Sequence, residues 1–288
     1  MLDITRAYSL TFLIAQNDTG IGRILRSHGE FARVETDLII EYLKLSTSGA
    51  YIDVGADIGT IALPVAAAIP DMRVIAIEAQ RVVAGILSAN ALNNHLYNVD
   101  VIHAAAGAEP GLIAFPQGNL RFSQMNFGVV SADADVLPKE NVRVCTLDEV
   151  APADTRFVKI DVEGFEPEVL KGATRLINEI RPTWLIEANS KTIETARSTM
   201  HTLLKAGYRL FWFYAPFVSP QASKLPRVPA NQIGDMNFLA LPAGVENIWN
   251  LPEFTDADAP LPNRISPFKY LERVGFRLPQ PAPEETVG

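Results

Sequence analysis

Short apolar runs separated by amphipathic stretches set the framework of this chain. Tyr51–Val54, Val74–Glu78, Val99–Ala104 and Phe157–Val162 are four to six residues long and mostly apolar on both faces. Runs of that kind predict strands buried beneath helices. Between them, apolar positions recur at helical spacing. Ile61–Ala68 predicts a helix stopped by Pro70, and Val83–Asn93 predicts a second. Strict alternation of strand and helix calls for a parallel sheet covered on both sides, a doubly wound α/β fold.

The flanks read differently. Phe31, Val34, Leu38, Ile39 and Tyr42 recur at helical spacing with Glu30, Glu35 and Glu41 between them, so residues 1–45 predict an N-terminal helical segment. Met1–Ala7 fits a surface helix: it lacks the basic start and apolar run of a signal peptide. Leu112–Phe115 and Val142–Thr146 predict two strands of a β insertion joined by a polar, glycine-containing link over 117–131. A helix from Pro167 to about Ile180, a strand at Trp184–Glu187 and a helix over 193–205 follow. Tyr208–Tyr214 and Met236–Leu241 predict an antiparallel edge to the sheet. The main domain therefore spans 46–243, and the proline-rich 244–288 predicts a tail wrapped on the surface and frayed after Leu278.

Candidate chemistry concentrates at the first strand–turn–helix–strand unit. Asp53-Val54-Gly55-Ala56-Asp57-Ile58-Gly59 leads from the first strand, and Glu78 ends the second. Gly55 and Gly59 admit close approach of a ligand to the backbone. The helix start offers unpaired N–H groups, and Glu78 can accept from both hydroxyls of a ribose. A dinucleotide turn needs G-x-G-x-x-G to seat a pyrophosphate. Here the order is D-x-G-x-x-x-G, and Asp53 and Asp57 would repel phosphates. Two carboxylates suit the cationic amino-acid and sulfonium end of S-adenosylmethionine. A nicotinamide-dependent oxidoreductase and a non-catalytic binding module with the same fold are the competing readings.

Composition narrows the partners. The net charge of −8 argues against a nucleic-acid surface. The lone Cys145 excludes an intramolecular disulfide and fits a reducing compartment. The four histidines lack metal-ligand spacing. No run approaches the about 18 apolar residues of a membrane span. A cytoplasmic location and a small-molecule substrate are the expectations; oligomeric state is open.

A second constellation, Lys159-Ile160-Asp161-Val162-Glu163-Gly164-Phe165-Glu166-Pro167, places charge at the end of a central strand. Glu166 and Glu168 suit a helix start. Lys159 and Asp161 are costly in a buried strand unless they are paired or face a ligand. Together with Asp53–Gly59, Glu78, Asn90, Asn93, Val169-Leu170-Lys171-Gly172 and Arg181-Pro182, this block resembles the FkbM family of S-adenosylmethionine-dependent methyltransferases over roughly residues 30–190. The departures are Asp57, where the family usually has asparagine, and Ala79, where proline is common. The resemblance implies a class I methyltransferase fold and O-methylation of a small-molecule hydroxyl, on a sugar, glycan or polyketide-like product. It implies a cofactor crevice at Asp53, Gly55, Asp57, Gly59, Glu78, Ala79 and Ala104.

Transfer of a methyl group to a hydroxyl needs alignment and a route for the proton. Asp161, Glu163 and Glu187, each at a strand end, are the candidate catalytic carboxylates. The same three could instead hold a divalent metal, the less favoured alternative; His103 is a weaker base candidate. Asn126, Asn189 and Asn237 are candidates for reading substrate hydroxyls. The aromatic run Phe211–Phe217 should give half its side chains to the core and leave the others as a possible substrate wall.

Overall fold

Period-two alternation, not a helix, governs the first fifteen residues. In the computed structural model, which describes residues 1–46, 48–122, 124–128, 137–188, 193–222 and 234–278, Leu2–Ala7 (β1) and Leu10–Ala15 (β2) form an antiparallel hairpin. Phe12 and Ile14 point inward and are fully buried, which a helix over these residues could not arrange. Helix enters later, as Ile21–His28 (α1) and Arg33–Leu43 (α2).

The predicted alternation follows: Ala50–Val54 (β3), Ala62–Ala68 (α3), Arg73–Glu78 (β4), Arg81–Asn93 (α4) and Val99–His103 (β5). Asn90 of α4 and Asn94, the residue that caps its C-terminal end, tie the hairpin down as a neighbouring strand would. Asn94 Oδ1 accepts from the Thr11 N–H at 2.8 Å and Asn90 Oδ1 from the Leu13 N–H at 2.6 Å. Asn90 also donates to the Ile58 carbonyl at 3.0 Å, linking the hairpin to the glycine turn.

The insertion is a separate three-stranded sheet built from Ala105–Ala106 (β6), Gly111–Pro116 (β7) and Lys139–Cys145 (β8) in the order β6-β8-β7. A one-turn helix, Leu147–Val150 (α5), is closed by a capping box between Thr146 and Glu149. It returns the chain to Thr155–Ile160 (β9). The helix expected up to Ile180 breaks in two, as Glu166–Lys171 (α6) and a π-helical turn over Leu176–Ile180. Thr183–Glu187 (β10), Ile193–Lys205 (α7), Arg209–Pro216 (β11), Gly234–Leu241 (β12) and Glu253–Phe254 (β13) complete the elements apart from a 3-10 turn at Lys269–Val274.

The main sheet has eight strands in the order β13-β11-β12-β10-β9-β3-β4-β5, a mixed α/β architecture. From β10 to β5 every pairing is parallel. The antiparallel pairings gather at the other end, where β12 runs between β10 and β11. The strand order reverses between β3 and β9, so a crevice opens at the carboxyl ends of those two strands.

The C-terminal stretch is more than a surface wrapping. Trp249, Phe268, Tyr270 and Leu271 are buried. Tyr270 stacks on Phe213 at 5.3 Å between centroids, and Phe268 stacks on Tyr214 at 6.2 Å. The Tyr270 hydroxyl accepts from the Tyr214 N–H at 2.8 Å and donates to its carbonyl at 2.7 Å. Trp212 stacks on Phe254 at 4.0 Å. From Phe211 to Ala215 the aromatic run is consequently buried on both faces; Phe217, at its end, stacks on Phe31 at 5.3 Å. Among the described residues, no helix is long and apolar enough to cross a membrane.

Candidate functional site

Where the sheet order reverses, the backbone after β3 turns sharply. Gly55 adopts φ +80° and Gly59 φ +91°, both left-handed conformations that favour glycine. A Cβ on Gly55 would collide with the Asp161 carbonyl oxygen, so this position permits β3 and the end of β9 to approach each other. Asp57, at φ +47°, is left-handed without being glycine, a conformation that aspartate and asparagine tolerate best. Its N–H donates to Glu78 Oε2 at 3.1 Å, and the Gln80 N–H donates to Glu78 Oε1 at 2.7 Å. Glu78 thereby ties the first turn to the second strand while lining the crevice.

Gly55, Asp57, Glu78, Ala79 and Ala104 all line that crevice, as do Asp161 and Glu163. The insertion closes it from above, with Phe115 and Phe127 forming apolar walls. Gln80 holds this cover in place: its side chain donates to the Phe127 carbonyl at 2.8 Å and accepts from the Gly118 N–H at 3.3 Å. Sequence reasoning missed Gln80, Phe115 and Phe127, though the polar link carrying Phe127 had been marked as part of an insertion.

A second, smaller cavity adjoins the first and shares Ile21, Gly55, Asp57 and Asp161 with it. Asp53 lies here, not in the larger crevice, together with Glu35, Lys159 and Asp235. Gly59 lines neither; a Cβ there would collide with Leu63 of α3 and Leu87 of α4, so its role is to let the two helices pack at the turn. Lys159 Nζ stands 3.2 Å from Asp161 Oδ2, 3.8 Å from Asp53 Oδ1 and 3.9 Å from Glu35 Oε1. Lys159 and Asp53 are neighbours across β9 and β3. The helical spacing marks Glu35 only as a polar position between the apolar ones. In α2 it faces Lys159 of β9, and its side chain is buried.

Burial governs the electrostatics. It pushes Glu35 up to about 8, against the attraction of Lys159. Asp57 is pushed up to about 8 by burial and then by the charge of Glu78. Glu78 rises to about 7 for the same first reason, restrained by the N–H groups of Gln80 and Asp57. Burial raises Asp53 as well, with Lys159 opposing. For Lys159, burial alone would favour the neutral amine, but Asp161, Asp53 and Glu35 outweigh it and hold the ammonium form.

The candidate catalytic carboxylates separate into two kinds. Asp161 is partly open, with 37 % of its side chain exposed, and it faces both cavities. Glu163 lines the larger one at φ +53°, followed by Gly164 at φ +97°. Glu166 stabilises that double left-handed turn by accepting from the Val162 and Gly164 N–H groups at 3.2 and 3.0 Å. Glu187 is buried at the end of β10 and lines neither cavity; burial, then Asp161 and Asp235, raise its pKa. Asp235, at the start of β12, is pushed up to about 7 by burial and by Asp161, and the sequence did not mark it as a candidate.

The candidate substrate asparagines are dispersed. Asn237 is buried opposite Glu187 and donates to the Asp235 carbonyl at 3.4 Å. Asn126 accepts from the Gly128 N–H at 3.2 Å, and neither side chain lines a cavity. Asn189 lies outside the described residues. His103 sits on the exposed side of β5, its Nε2 3.3 Å from the Ala79 carbonyl oxygen. Among the described residues, no group of three or more His, Cys, Asp or Glu side chains is arranged to hold a metal ion.

Comparison with known proteins bears on residues 53–210, which match a family model described as a methyltransferase FkbM domain. No curated protein matches the chain in sequence. Among solved structures, it is similar to methyltransferase FkbM from Methylobacillus flagellatus KT, with 19% identity and a TM-score of 0.46. That match covers 67% of this chain and 44% of that protein, so the chain spans less than half the length of this relative. It is also similar to the O-methyltransferase TomG from Streptomyces achromogenes in complex with SAM, at 14% identity, covering 80% and 92% of the two chains with a TM-score of 0.47. The precorrin-6y C5,15-methyltransferase from Geobacter metallireducens GS-15 gives 14% identity, 72% and 87% coverage and a TM-score of 0.47.

Proposed function

This chain belongs to the FkbM methyltransferase family, and we propose that it transfers a methyl group from S-adenosylmethionine to a hydroxyl of a small polyhydroxylated molecule. One observation carries the reading. At a single strand-order reversal, a glycine turn that admits close backbone approach, a buried carboxylate (Glu78) and a partly open carboxylate (Asp161) line one crevice. The residues fit the cofactor. Glu78 would accept from the ribose hydroxyls, Phe115 and Phe127 would wall the adenine, and Asp57, which lines both cavities, would hold the cationic amino-acid end, with Asp53 beyond it in the second cavity.

When bound, the cofactor supplies an electrophilic methyl group on a sulfonium. The S–C bond breaks as the O–C bond forms, and sulfur keeps the bonding pair. The acceptor's proton passes to Asp161, whose exposure on both cavities gives it access to a bound hydroxyl. Glu163 lines the same end of the crevice and orients the acceptor. Glu187, buried behind them, is pushed up to about 10 by burial and by the charges of Asp161 and Asp235, so it stays a neutral carboxyl that leaves the proton transfer to Asp161. The apolar cover formed by Phe115 and Phe127 excludes water, which would otherwise compete for the methyl group.

Calorimetry with S-adenosylhomocysteine against NAD tests the cofactor, and transfer of a labelled methyl group to alcohols against amines and catechols tests the reaction. Tighter binding of NAD than of S-adenosylhomocysteine, or transfer to nitrogen alone, would be incompatible with this function.

A further inference from the structure

The groups assigned to the cofactor are covered by the protein's own atoms. Glu78 is 7 % exposed, Asp57 8 % and Ala104 1 %, yet all three line the crevice. A nucleoside cannot reach a carboxylate covered to that degree unless part of the wall moves aside. The floor is a poor candidate for movement. It consists of strand ends held by the ladders of β4 with β3 and β5, and core strands of that kind open only near the cost of global unfolding. The roof is built differently, from two pieces far apart in the chain. One is Ile21 at the start of α1; the other is Phe127 with Gly128, in the link after β7.

The two pieces are fastened where residues 17–19 run beside Met125. The Met125 N–H donates to the Asn17 carbonyl at 2.9 Å and the Thr19 N–H to the Met125 carbonyl at 2.8 Å, an isolated parallel bridge centred on Asp18 and Met125. Asn17 Nδ2 adds donations to the Asn119 and Phe122 carbonyls, each at 3.1 Å. A second fastening comes from below, where the Gln80 carboxamide binds the Phe127 carbonyl and the Gly118 N–H. The N-terminal piece is anchored, because residues 17–19 follow β2, which Asn90 and Asn94 root beside α4. Gln117 is fixed as well: its side chain accepts from the Arg81 N–H and its N–H donates to the Pro138 carbonyl. What can swing is the stretch beyond Gln117.

On the cofactor reading above, we propose that residues 118–122 and 124–128 form a cover that lifts to exchange the cofactor, and that Asn17 is the clasp that sets how fast the demethylated product leaves. Asn17 lines neither cavity, so it acts on exchange through the cover alone. The same hydrogen bonds close the cover whether the crevice is loaded or not. Weakening them therefore speeds entry and exit together and leaves the equilibrium nearly unchanged. Loss of a contact made only to bound cofactor would speed exit alone. Opening of such covers commonly limits turnover.

Association and release of S-adenosylhomocysteine are measured by surface plasmon resonance on the immobilised full chain. Asn17→Ala removes two side-chain hydrogen bonds, so both rates should rise about tenfold while Kd stays within threefold. Unchanged rates, or a higher Kd at an unchanged association rate, overturn the proposal. The converse variant combines Asp18→Cys with Met125→Cys, the partners of the bridge, which stand close enough for a disulfide; the native Cys145 is buried. Once oxidised, it should exchange S-adenosylhomocysteine at least tenfold more slowly than the same protein reduced. Asp18 also accepts from the Gly20 and Gly22 N–H groups at the start of α1, a loss that both redox states share. Equal rates in the two states refute the cover even where Asn17→Ala fails to fold, and the methyltransferase reading then survives. Failure of S-adenosylhomocysteine to bind the unaltered protein overturns both.

Discussion

Replacing Glu78 by glutamine removes the charge from the ribose site with little change of shape. The wild-type carboxylate accepts from the Asp57 and Gln80 N–H groups at 3.1 and 2.7 Å, and in the proposed complex it also accepts from two ribose hydroxyls. A hydrogen bond to a charged acceptor is worth roughly 1.5–3 kcal/mol, and a neutral one about 0.5–1.5. Losing the charge should therefore cost about 1 kcal/mol per hydroxyl, or about 2 in all, which corresponds to an approximately thirtyfold rise in Kd. The glutamine can keep one backbone N–H but presents an NH2 to the other. One buried donor is then orphaned, at about 1–3 kcal/mol of stability, so Tm should drop by several degrees. Binding should be measured calorimetrically with S-adenosylhomocysteine at pH 8, above the value of about 7 to which burial pushes Glu78. Wild-type affinity should weaken as pH falls below 7, and the variant should lack that dependence. A folded Glu78→Gln protein with a Kd within threefold of wild type would refute the ribose assignment.

Other outcomes follow from the same geometry. Asp161→Asn should retain cofactor affinity and most of its Tm but lose about 10²–10⁴-fold in kcat, the usual range for a general base; a collapse of Tm instead would make the Lys159–Asp161 contact structural. Gly55→Ala meets the Asp161 carbonyl and must hold φ +80°, so thermal unfolding should move down by more than the few degrees expected of a surface change; an unchanged Tm would disprove the close approach. Tyr270→Phe strands the buried Tyr214 N–H and should cost about 1–3 kcal/mol in denaturant unfolding, with cofactor affinity unchanged. Glu35 and Asp57 at about 8 and Glu78 and Asp235 at about 7 bind protons more strongly folded than unfolded. The stability they lend is complete below pH 4 and is lost as pH rises through 7 and 8. Ligand-free Tm should accordingly decline between pH 5 and 9, and a Tm that rises over that window would contradict these shifts.

The strand–turn–helix unit from Ala50 to Glu78 was legible in the sequence because its causes are local. Buried apolar runs, a proline stop and glycines at left-handed positions each leave a mark within a few residues. The crevice at Gly55, Glu78, Ala79 and Ala104 was legible for the same reason, since its residues end consecutive parallel strands. The hairpin at Leu2–Ala15 was hidden, because six-residue strands give too few alternations to outweigh the helical pattern that follows. Only the tertiary structure decided which partners the charged and aromatic residues would meet. Glu35 looks like any polar residue on a helix until α2 is laid against β9 and turns it toward Lys159. Phe213 and Tyr214 look half available until residues 249–271 pack against both of them. Asp235 becomes part of a site because β12 runs antiparallel between β10 and β11 and carries it to the carboxyl ends of the parallel strands. Those are long-range placements, and a one-dimensional pattern records what a residue is but not which distant face will be packed against it.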